Sequence, residues 1–104
     1  MKRFDLYIGH NYDNGASTWA PETVLEEIAT WARCSGIQGF TLTSAEGYWK
    51  GQPEHTTIVT LFSFGLNESP ELQVKAFAAG IREALRQECV LVVSSPVQTA
   101  LVTP

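Results

Sequence analysis

The sequence predicts one α+β domain whose elements follow in the order β-α-β-β-α-β. Short segments near the start, middle and end of the chain are β-branched, apolar or alternating, which is typical of strands. Two longer segments carry apolar residues three and four positions apart, which is typical of amphipathic helices. This order is the split arrangement of ferredoxin-like domains. We therefore expect residues 1–104 to form a single ferredoxin-like domain, a fold that does not by itself indicate a function.

The first strand is predicted around Phe4 and Ile8, where apolar residues alternate with Asp5 and Tyr7. Residues 9–17 are rich in turn formers and predict a loop. The first helix should begin near Pro21, because proline suits the first helical turn, and should end at Gly36, a C-cap candidate. Its predicted apolar stripe consists of Val24, Leu25, Ile28, Trp31 and Ala32.

The second and third strands are predicted at residues 37–45 and 55–64. The third strand is largely apolar on both faces, with Ile58 and Phe62 on one side and Val59 and Leu61 on the other. A strand that is apolar on both faces is covered on both faces. Because one layer of helices covers only one of them, we expect the chain to form a homo-oligomer.

The second helix should begin at Ser69 and Pro70, as an N-cap followed by proline at the first helical position. Its predicted apolar face consists of Leu72, Val74, Phe77, Ala78, Ile81 and Leu85. Residues 89–93 predict the fourth strand. Residues 97–102 are also extended in pattern, and they could add an edge strand or cross to a neighbouring subunit.

Composition and charge argue against several classes of partner. The net charge is −4 and the seven Lys and Arg residues are scattered, whereas binding to a phosphate backbone needs clustered cations. No apolar run approaches the roughly 20 residues of a membrane helix, and Asp5 interrupts what would be the apolar region of a signal peptide. We expect neither nucleic acid nor membrane as a partner, and we expect Cys34 and Cys89 to be reduced, part-buried thiols of a cytosolic protein.

The connection between the two central strands, residues 47–54, has an unusual composition for a turn. It reads Gly-Tyr-Trp-Lys-Gly-Gln-Pro-Glu, whereas a purely structural hairpin closes with two to five polar residues. Its aromatic side chains could simply pack on a neighbouring subunit. Alternatively, they could form with Glu54 a site for a cationic or nucleoside-like ligand, through cation–π contacts and hydrogen bonds to the carboxylate. Both interpretations hold if the ligand lies in the interface.

The other reactive side chains predict no further site. His10 and His55 lack a second ligand at zinc spacing, so we expect no metal site. His55 follows Glu54 directly and could tune that carboxylate or be solvated. The sequence contains no phosphate-binding glycine loop, nucleophile elbow or Cys-x-x-Cys motif.

Several segments resemble the small phage enzymes that degrade S-adenosylmethionine, described as hydrolases and as lyases. The segments are Gly47-Tyr48, residues 54–59 (Glu-His-Thr-Thr-Ile-Val) and residues 88–92 (Glu-Cys-Val-Leu-Val), followed by Ser95, Thr99 and Ala100. The resemblance covers residues 37–102. The hairpin is shorter than in that family, and we expect the chain to lack the long C-terminal extension of the best-known member. A weaker resemblance extends to uncharacterised PII-like domains, through the Trp-Lys-Gly hairpin and the Cys-Val-Leu strand.

The resemblance implies a trimer of ferredoxin-like subunits that holds S-adenosylmethionine between neighbours, in the cytoplasm of an infected bacterial host. It implies a lyase without cofactor or metal, in which the substrate carboxylate attacks its own γ-carbon and releases 5′-methylthioadenosine and homoserine lactone. Tyr48 and Glu54 would then be the catalytic residues, with Ser95 and Gln98 binding substrate from the adjacent chain. The PII-like resemblance implies instead a nucleotide-binding or small-molecule-binding module without catalysis, and a purely structural oligomer is a third alternative.

Overall fold

The computed structural model describes residues 1–104, and it confirms the predicted α+β architecture. The sheet strands are β1 (Lys2–Gly9), β4 (Thr41–Trp49), β5 (Gln52–Phe62) and β6 (Leu91–Pro96), and the helices are α1 (Pro21–Cys34) and α2 (Pro70–Ala84). The four strands are antiparallel and lie in the order β4-β5-β1-β6. One detail differs: the loop after β1 contains a small ribbon of two strands, β2 (Asn11–Tyr12) and β3 (Ser17–Thr18).

The hydrophobic core lies between the two helices and one face of the sheet. Alternate residues of β1 (Phe4, Leu6 and Ile8) and of β5 (Val59 and Leu61) are buried in it, together with apolar residues of both helices. Successive side chains of a strand point to opposite faces. The intervening residues, among them Asp5, Tyr7 and Ile58, therefore lie on the face that no helix covers, which is called the open face below.

The helices begin and end close to where the sequence predicts. Pro21 and Pro70 each open a helix, although Ser69 makes no capping hydrogen bond with its side chain. Gly36 follows α1 at φ +72°, a left-handed conformation that glycine adopts without strain. Two predicted core residues are wrong, because Leu25 is 43% exposed and Leu72 is 69% exposed.

Gln73 occupies the buried position on α2 that lies next to Leu72. Its side-chain amide donates to the Ser35 carbonyl at 2.8 Å, and its side-chain oxygen accepts from the Asn67 N–H at 2.7 Å. A buried polar side chain is stable when its hydrogen bonds are made. The periodicity pattern missed it because it counts only apolar residues.

Strand boundaries are shifted from those predicted. Residues 37–40 precede β4 rather than belonging to it, because the Ile37 N–H bonds to the Ala32 carbonyl at 2.8 Å and completes the end of α1. Strand β6 covers Leu91–Pro96 rather than residues 89–93. Residues 97–104 add no strand to the sheet of their own chain, and Val97 makes one backbone hydrogen bond to Met1.

The turn between the two central strands is much shorter than the predicted segment of residues 47–54. Trp49 pairs with Gln52, which leaves a two-residue turn of Lys50 and Gly51, both at positive φ (51° and 77°). This is the backbone pattern of a tight type I′ hairpin turn. The residues from Gly47 to Trp49 therefore belong to β4, and Gln52 to Glu54 belong to β5.

Cys34 and Cys89 form no disulfide, and both are exposed rather than part-buried as predicted. Neither helix combines the length and the apolar character that crossing a bilayer requires.

Candidate functional site

A cavity of about 670 Å³ lies on the open face of the sheet, at the end where β1 finishes. Its floor is formed by residues that cross-strand pairing brings together, including Tyr7, Gly9, Thr56 and Ile58. Its walls are the β2–β3 turn, the outer part of the β4–β5 hairpin and the loop between α2 and β6. The predicted hairpin therefore does border a cavity, but one to which distant segments of the same chain also contribute.

The carboxylate of Glu54 lies in this cavity and is fixed there by contacts with the backbone. It is half-buried, and its Oε2 accepts a hydrogen bond from the Asn11 backbone N–H at 3.1 Å. The carboxylate occupies space that exists because residue 9 is glycine: a Cβ at Gly9 would lie 2.4 Å from the carboxylate carbon and from both oxygens. Glu54 takes part in none of the four ion pairs of the chain. The carboxylate is thus held in place without being neutralised.

Tyr48 lines the same cavity as Glu54, but it lies at the rim. The residue is 74% exposed and pairs with Pro53 across the hairpin. Strand alternation places Trp49, rather than Tyr48, on the face of the hairpin that carries Glu54. The structure therefore places both predicted catalytic residues at the border of one cavity, on opposite faces of the hairpin, and adds Trp49 on the face of Glu54.

The tip of the hairpin is bonded to the loop between α2 and β6. Trp49 Nε1 donates to Glu88 Oε2 at 2.9 Å, and Lys50 Nζ lies 2.5 Å from Glu88 Oε1. The hydrogen bond from Lys50, and to a smaller extent the one from Trp49, holds the pKa of the Glu88 carboxyl below its ordinary value. We call this three-residue contact the hairpin clasp.

The charged groups around the cavity leave an excess of negative charge. Its lining contains four carboxylates, from Asp13, Glu46, Glu54 and Glu88, and two cations, from Lys50 and Arg86. Lys50 pairs with Glu88, and Arg86 pairs with Asp13. Glu54 remains without a cationic partner, so the cavity favours a positively charged ligand. Glu46 is also unpaired, but it lies opposite His55 on the other face of the hairpin.

Ser95 and Gln98 do not reach this cavity within one chain. Ser95 pairs with Arg3 near the start of β1, whereas Glu54 lies beside the end of that strand. Six residues of strand separate Arg3 from Gly9, about 20 Å at the usual rise per residue. Gln98 lies further along the same exposed tail. Tyr48 and Glu54 therefore line the same cavity, whereas Ser95 and Gln98 of the same chain lie apart from it.

The two histidines lie on the helix side of the sheet, away from Glu54. His10 is 1% exposed, its Nε2 lies 2.8 Å from Thr57 Oγ1, and its Nδ1 has no partner. Burial, and then the charge of His55, lower the pKa of His10. The His55 ring makes an edge contact with His10, with centroids 4.7 Å apart, and its Nε2 bonds to Ser44. His55 therefore faces away from the carboxylate that precedes it. The chain contains no group of three potential metal-ligating side chains.

Sequence reasoning gave no site role to three residues that shape the site: Gly9, Asn11 and Glu88, of which Glu88 was noted only as part of the segment of residues 88–92. Glycine at the end of a strand next to a turn-rich segment is a signal for close approach, but it does not say which side chain approaches. Neither the N–H of Asn11 nor the clasp to Glu88 has any local signal, because their partners are 43 and 39 residues away.

Fold and site together define a ferredoxin-like domain with an acidic, aromatic-lined cavity at one end of its open sheet face. Among solved structures, a phage SAM lyase in complex with S-methyl-5′-thioadenosine matches with a TM-score of 0.69 and 20% sequence identity, over 90% of this chain and 79% of that chain. A phage SAM lyase in the apo state matches with a TM-score of 0.71 and 22% identity, over 90% and 78% of the two chains.

A DUF3240 family protein from Shewanella baltica also shares the fold, with a TM-score of 0.56 and 10% identity, over 98% of this chain and 97% of that chain. No protein-family model matches the chain, and no curated protein matches it in sequence. The likeness to the phage SAM lyases agrees with the resemblance noted in the sequence, and it confirms that this chain and those enzymes share a fold.

Proposed function

We propose that this protein degrades S-adenosylmethionine, as a lyase that releases 5′-methylthioadenosine and homoserine lactone. The observation that carries the proposal is the carboxylate of Glu54, which is held by a backbone N–H, lodged against Gly9 and left without a cation. The substrate has a sulfonium and an ammonium group, both of which such a carboxylate attracts. The shared fold with two phage SAM lyases supports the same conclusion.

The reaction we propose is an intramolecular displacement. An oxygen of the substrate carboxylate forms a bond to the γ-carbon, the bond from that carbon to sulfur breaks, and its electron pair stays on sulfur as a neutral thioether. No water is consumed and no proton moves. The protein therefore has to fold the substrate into a reactive conformation and shield it from water, which proximity and orientation can make effective.

In this proposal Glu54 binds the ammonium group or the positive charge at sulfur, and Tyr48 packs on or hydrogen-bonds the reacting portion from the rim. The carboxylate does not act as a base, since the step has no proton to remove. Ser95 and Gln98 would reach the substrate from an adjacent subunit of a trimer, because in their own chain they lie at the other end of the sheet. No cofactor or metal is part of this reaction.

The experiment is incubation of purified protein with S-adenosylmethionine, without additives, followed by chromatography and mass spectrometry of the products. We expect methylthioadenosine and homoserine lactone, with homoserine appearing only later as the lactone hydrolyses. Intact substrate after long incubation with folded protein would overturn the proposal. If S-adenosylmethionine raises the melting temperature but yields no product, the non-catalytic PII-like module is the better description.

Two variants test separately whether the charge of Glu54 and the position of its carboxylate are needed for turnover. Glu54→Gln keeps the shape and removes the charge, so we expect turnover to fall by about a hundredfold or more, as for loss of an electrostatic contact at a reacting centre. Gly9→Ala keeps the carboxylate but displaces it, because its Cβ would clash with all three carboxylate atoms. We expect turnover to fall here also, and Gly65→Ala, where no atom lies within 4 Å of the new methyl group, provides the control.

A further inference from the structure

The outer part of the β4–β5 hairpin extends beyond the rest of the sheet. The pairing of β1 with β5 ends at Gly9 and Thr56, whereas the pairing of β4 with β5 continues through four further residue pairs to Trp49 and Gln52. A two-stranded ribbon without a third strand is only marginally stable in water. What holds this ribbon in place therefore decides whether it forms a wall of the cavity.

Contacts near its base come from the turn that follows β1. His10 N–H donates to the His55 carbonyl at 2.9 Å, Asn11 N–H donates to Glu54, and the Asn11 side chain donates to the Pro53 carbonyl at 3.3 Å. None of these contacts reaches the tip. The turn residues Lys50 and Gly51 are exposed, and a Cβ at Gly51 would have open space around it.

The tip is held by Glu88. Both of its carboxylate oxygens are used, one by the Trp49 indole N–H and one by the Lys50 ammonium group. Glu88 belongs to the loop between α2 and β6, which also lines the cavity. Because Trp49 lies on the face of the hairpin that carries Glu54, the bond to its indole nitrogen also orients an aromatic ring in the cavity wall.

We propose that Glu88 is a positioning residue for this site: through Trp49 and Lys50 it fixes the hairpin as a closed wall, which keeps Glu54 in register with the substrate and keeps water from the reacting carbon. The proposal rests on the proposed function above. Glu88 itself touches no reacting atom. Opening the wall would both slow the intramolecular displacement, since small misplacements are costly, and let water compete with the substrate carboxylate at the γ-carbon.

Water labelled with oxygen-18 measures that competition. Direct attack of water on the γ-carbon places the label in the hydroxyl group of homoserine. Formation of the lactone followed by its hydrolysis places the label in the carboxylate, because water then attacks the carbonyl carbon. Fragmentation of the product in the mass spectrometer distinguishes the two positions.

The variants are Glu88→Ala, Trp49→Phe with Lys50→Ala, and all three changes combined. Glu83→Ala is the matched control, since Glu83 is an exposed glutamate near the end of α2, five residues before Glu88, and its side chain makes no hydrogen bond. We expect Glu88→Ala to lower kcat about tenfold and to raise the fraction of label in the hydroxyl group. We expect the triple variant to be no worse than the double one, because contacting residues are non-additive.

Hydrogen exchange of the peptide covering residues 46–55 tests the clasp without requiring activity. Exchange there should be faster in Glu88→Ala than in the wild type and unchanged in Glu83→Ala. The proposal is overturned if Glu88→Ala matches Glu83→Ala in turnover, label position and exchange, or if its effect simply adds to that of the double variant. If the wild type releases no methylthioadenosine, the proposed function is overturned, and the role of Glu88 in the reaction with it. If hydrogen exchange of residues 46–55 is also unchanged in Glu88→Ala, the clasp itself is refuted.

Discussion

At the scale of single residues, the most informative group is a carboxylate that is positioned by backbone rather than by a cation. Glu54 is held by the N–H of Asn11 and by the absence of a side chain at Gly9. An arginine or lysine partner would hold it as firmly but would cancel the charge that attracts a ligand. A neutral N–H donor leaves most of that charge available. This is the physical reason that Glu54, and not one of the ion-paired carboxylates, is the centre of the proposed site.

His10 is the other residue whose environment departs from the ordinary. It is buried, with Nδ1 unpartnered, and its backbone N–H bonds to the strand residue that follows Glu54. Burial lowers its pKa, and the neighbouring His55 lowers it further. The folded protein therefore binds fewer protons than the unfolded chain once the pH falls through the ordinary histidine value of about 6.5. Folding stability should decrease on acidification in that window.

We expect the melting temperature of the wild type to fall between about pH 7.5 and pH 5.5, and to fall less steeply in His10→Gln. The glutamine can still bond to Thr57 but does not titrate. His55→Gln removes the weaker cause of the shift and leaves the burial, so its curve should lie between the other two. Differential scanning calorimetry at several pH values is the measurement. Parallel curves for wild type and His10→Gln would show that His10 does not carry the pH dependence.

At the scale of elements, the packing of α1 on α2 depends on a glycine within a helix. Gly80 lies in α2, where glycine costs about 1 kcal/mol relative to alanine by intrinsic propensity. A Cβ at that position would lie 2.4 to 2.8 Å from three ring carbons of Trp31 on α1. The indole ring thus approaches the backbone of α2 directly. Tertiary packing here overrides helix propensity.

Gly80→Ala should therefore destabilise the protein, by about 1–2 kcal/mol, since overpacking a tight contact outweighs the propensity gain. The free energy of unfolding in urea is the measurement. In a Trp31→Ala background the ring is absent, and the same substitution should stabilise by up to about 1 kcal/mol. A stabilising effect of Gly80→Ala in the wild type would contradict this account of the helix contact.

At the scale of the whole molecule, the helices cover one face of the sheet and leave the other uncovered. Tyr7, Leu91 and Val93 are 38%, 57% and 41% exposed, and the first two lie side by side in the β1–β6 pairing. Strand β5 is apolar on this side too, with Ile58 and Phe62 half-buried. Apolar side chains clustered on a sheet face support the homo-oligomer that we propose, because association would remove them from water.

We expect light scattering after gel filtration to show a trimer of about 34 kDa, three times the 11.4 kDa of one chain. Val93→Glu, on the open face and outside the cavity lining, should shift the protein towards the monomer by placing a charge in the interface. Leu72→Glu, at an exposed apolar position of α2, should leave the mass unchanged. A wild type that elutes as a monomer at all concentrations would refute the oligomer and the subunit-bridging roles of Ser95 and Gln98.

Much of the fold could be predicted because its signals are local. Periodicity in the sequence predicted both helices and the alternation of β1, and Pro21, Pro70 and Gly36 predicted helix ends, since each acts through its own backbone conformation. The exceptions are equally physical. Leu72 was expected to be buried but is exposed, and the neighbouring Gln73 is buried instead. Hydrogen bonds to Ser35 and Asn67 make burial of the Gln73 amide favourable.

For the site, the sequence by itself singled out Tyr48 and Glu54, since hairpin turns are ordinarily short and polar and this one contains aromatic residues and a carboxylate. Only the tertiary structure decided what surrounds Glu54: the space left by Gly9, the N–H of Asn11 and the clasp from Glu88. It also decided that Lys50 and Gly51 alone form the turn, and that Ser95 lies at the far end of the sheet. These facts depend on which strands pair and in what register, and strand pairing joins residues that are far apart in the chain.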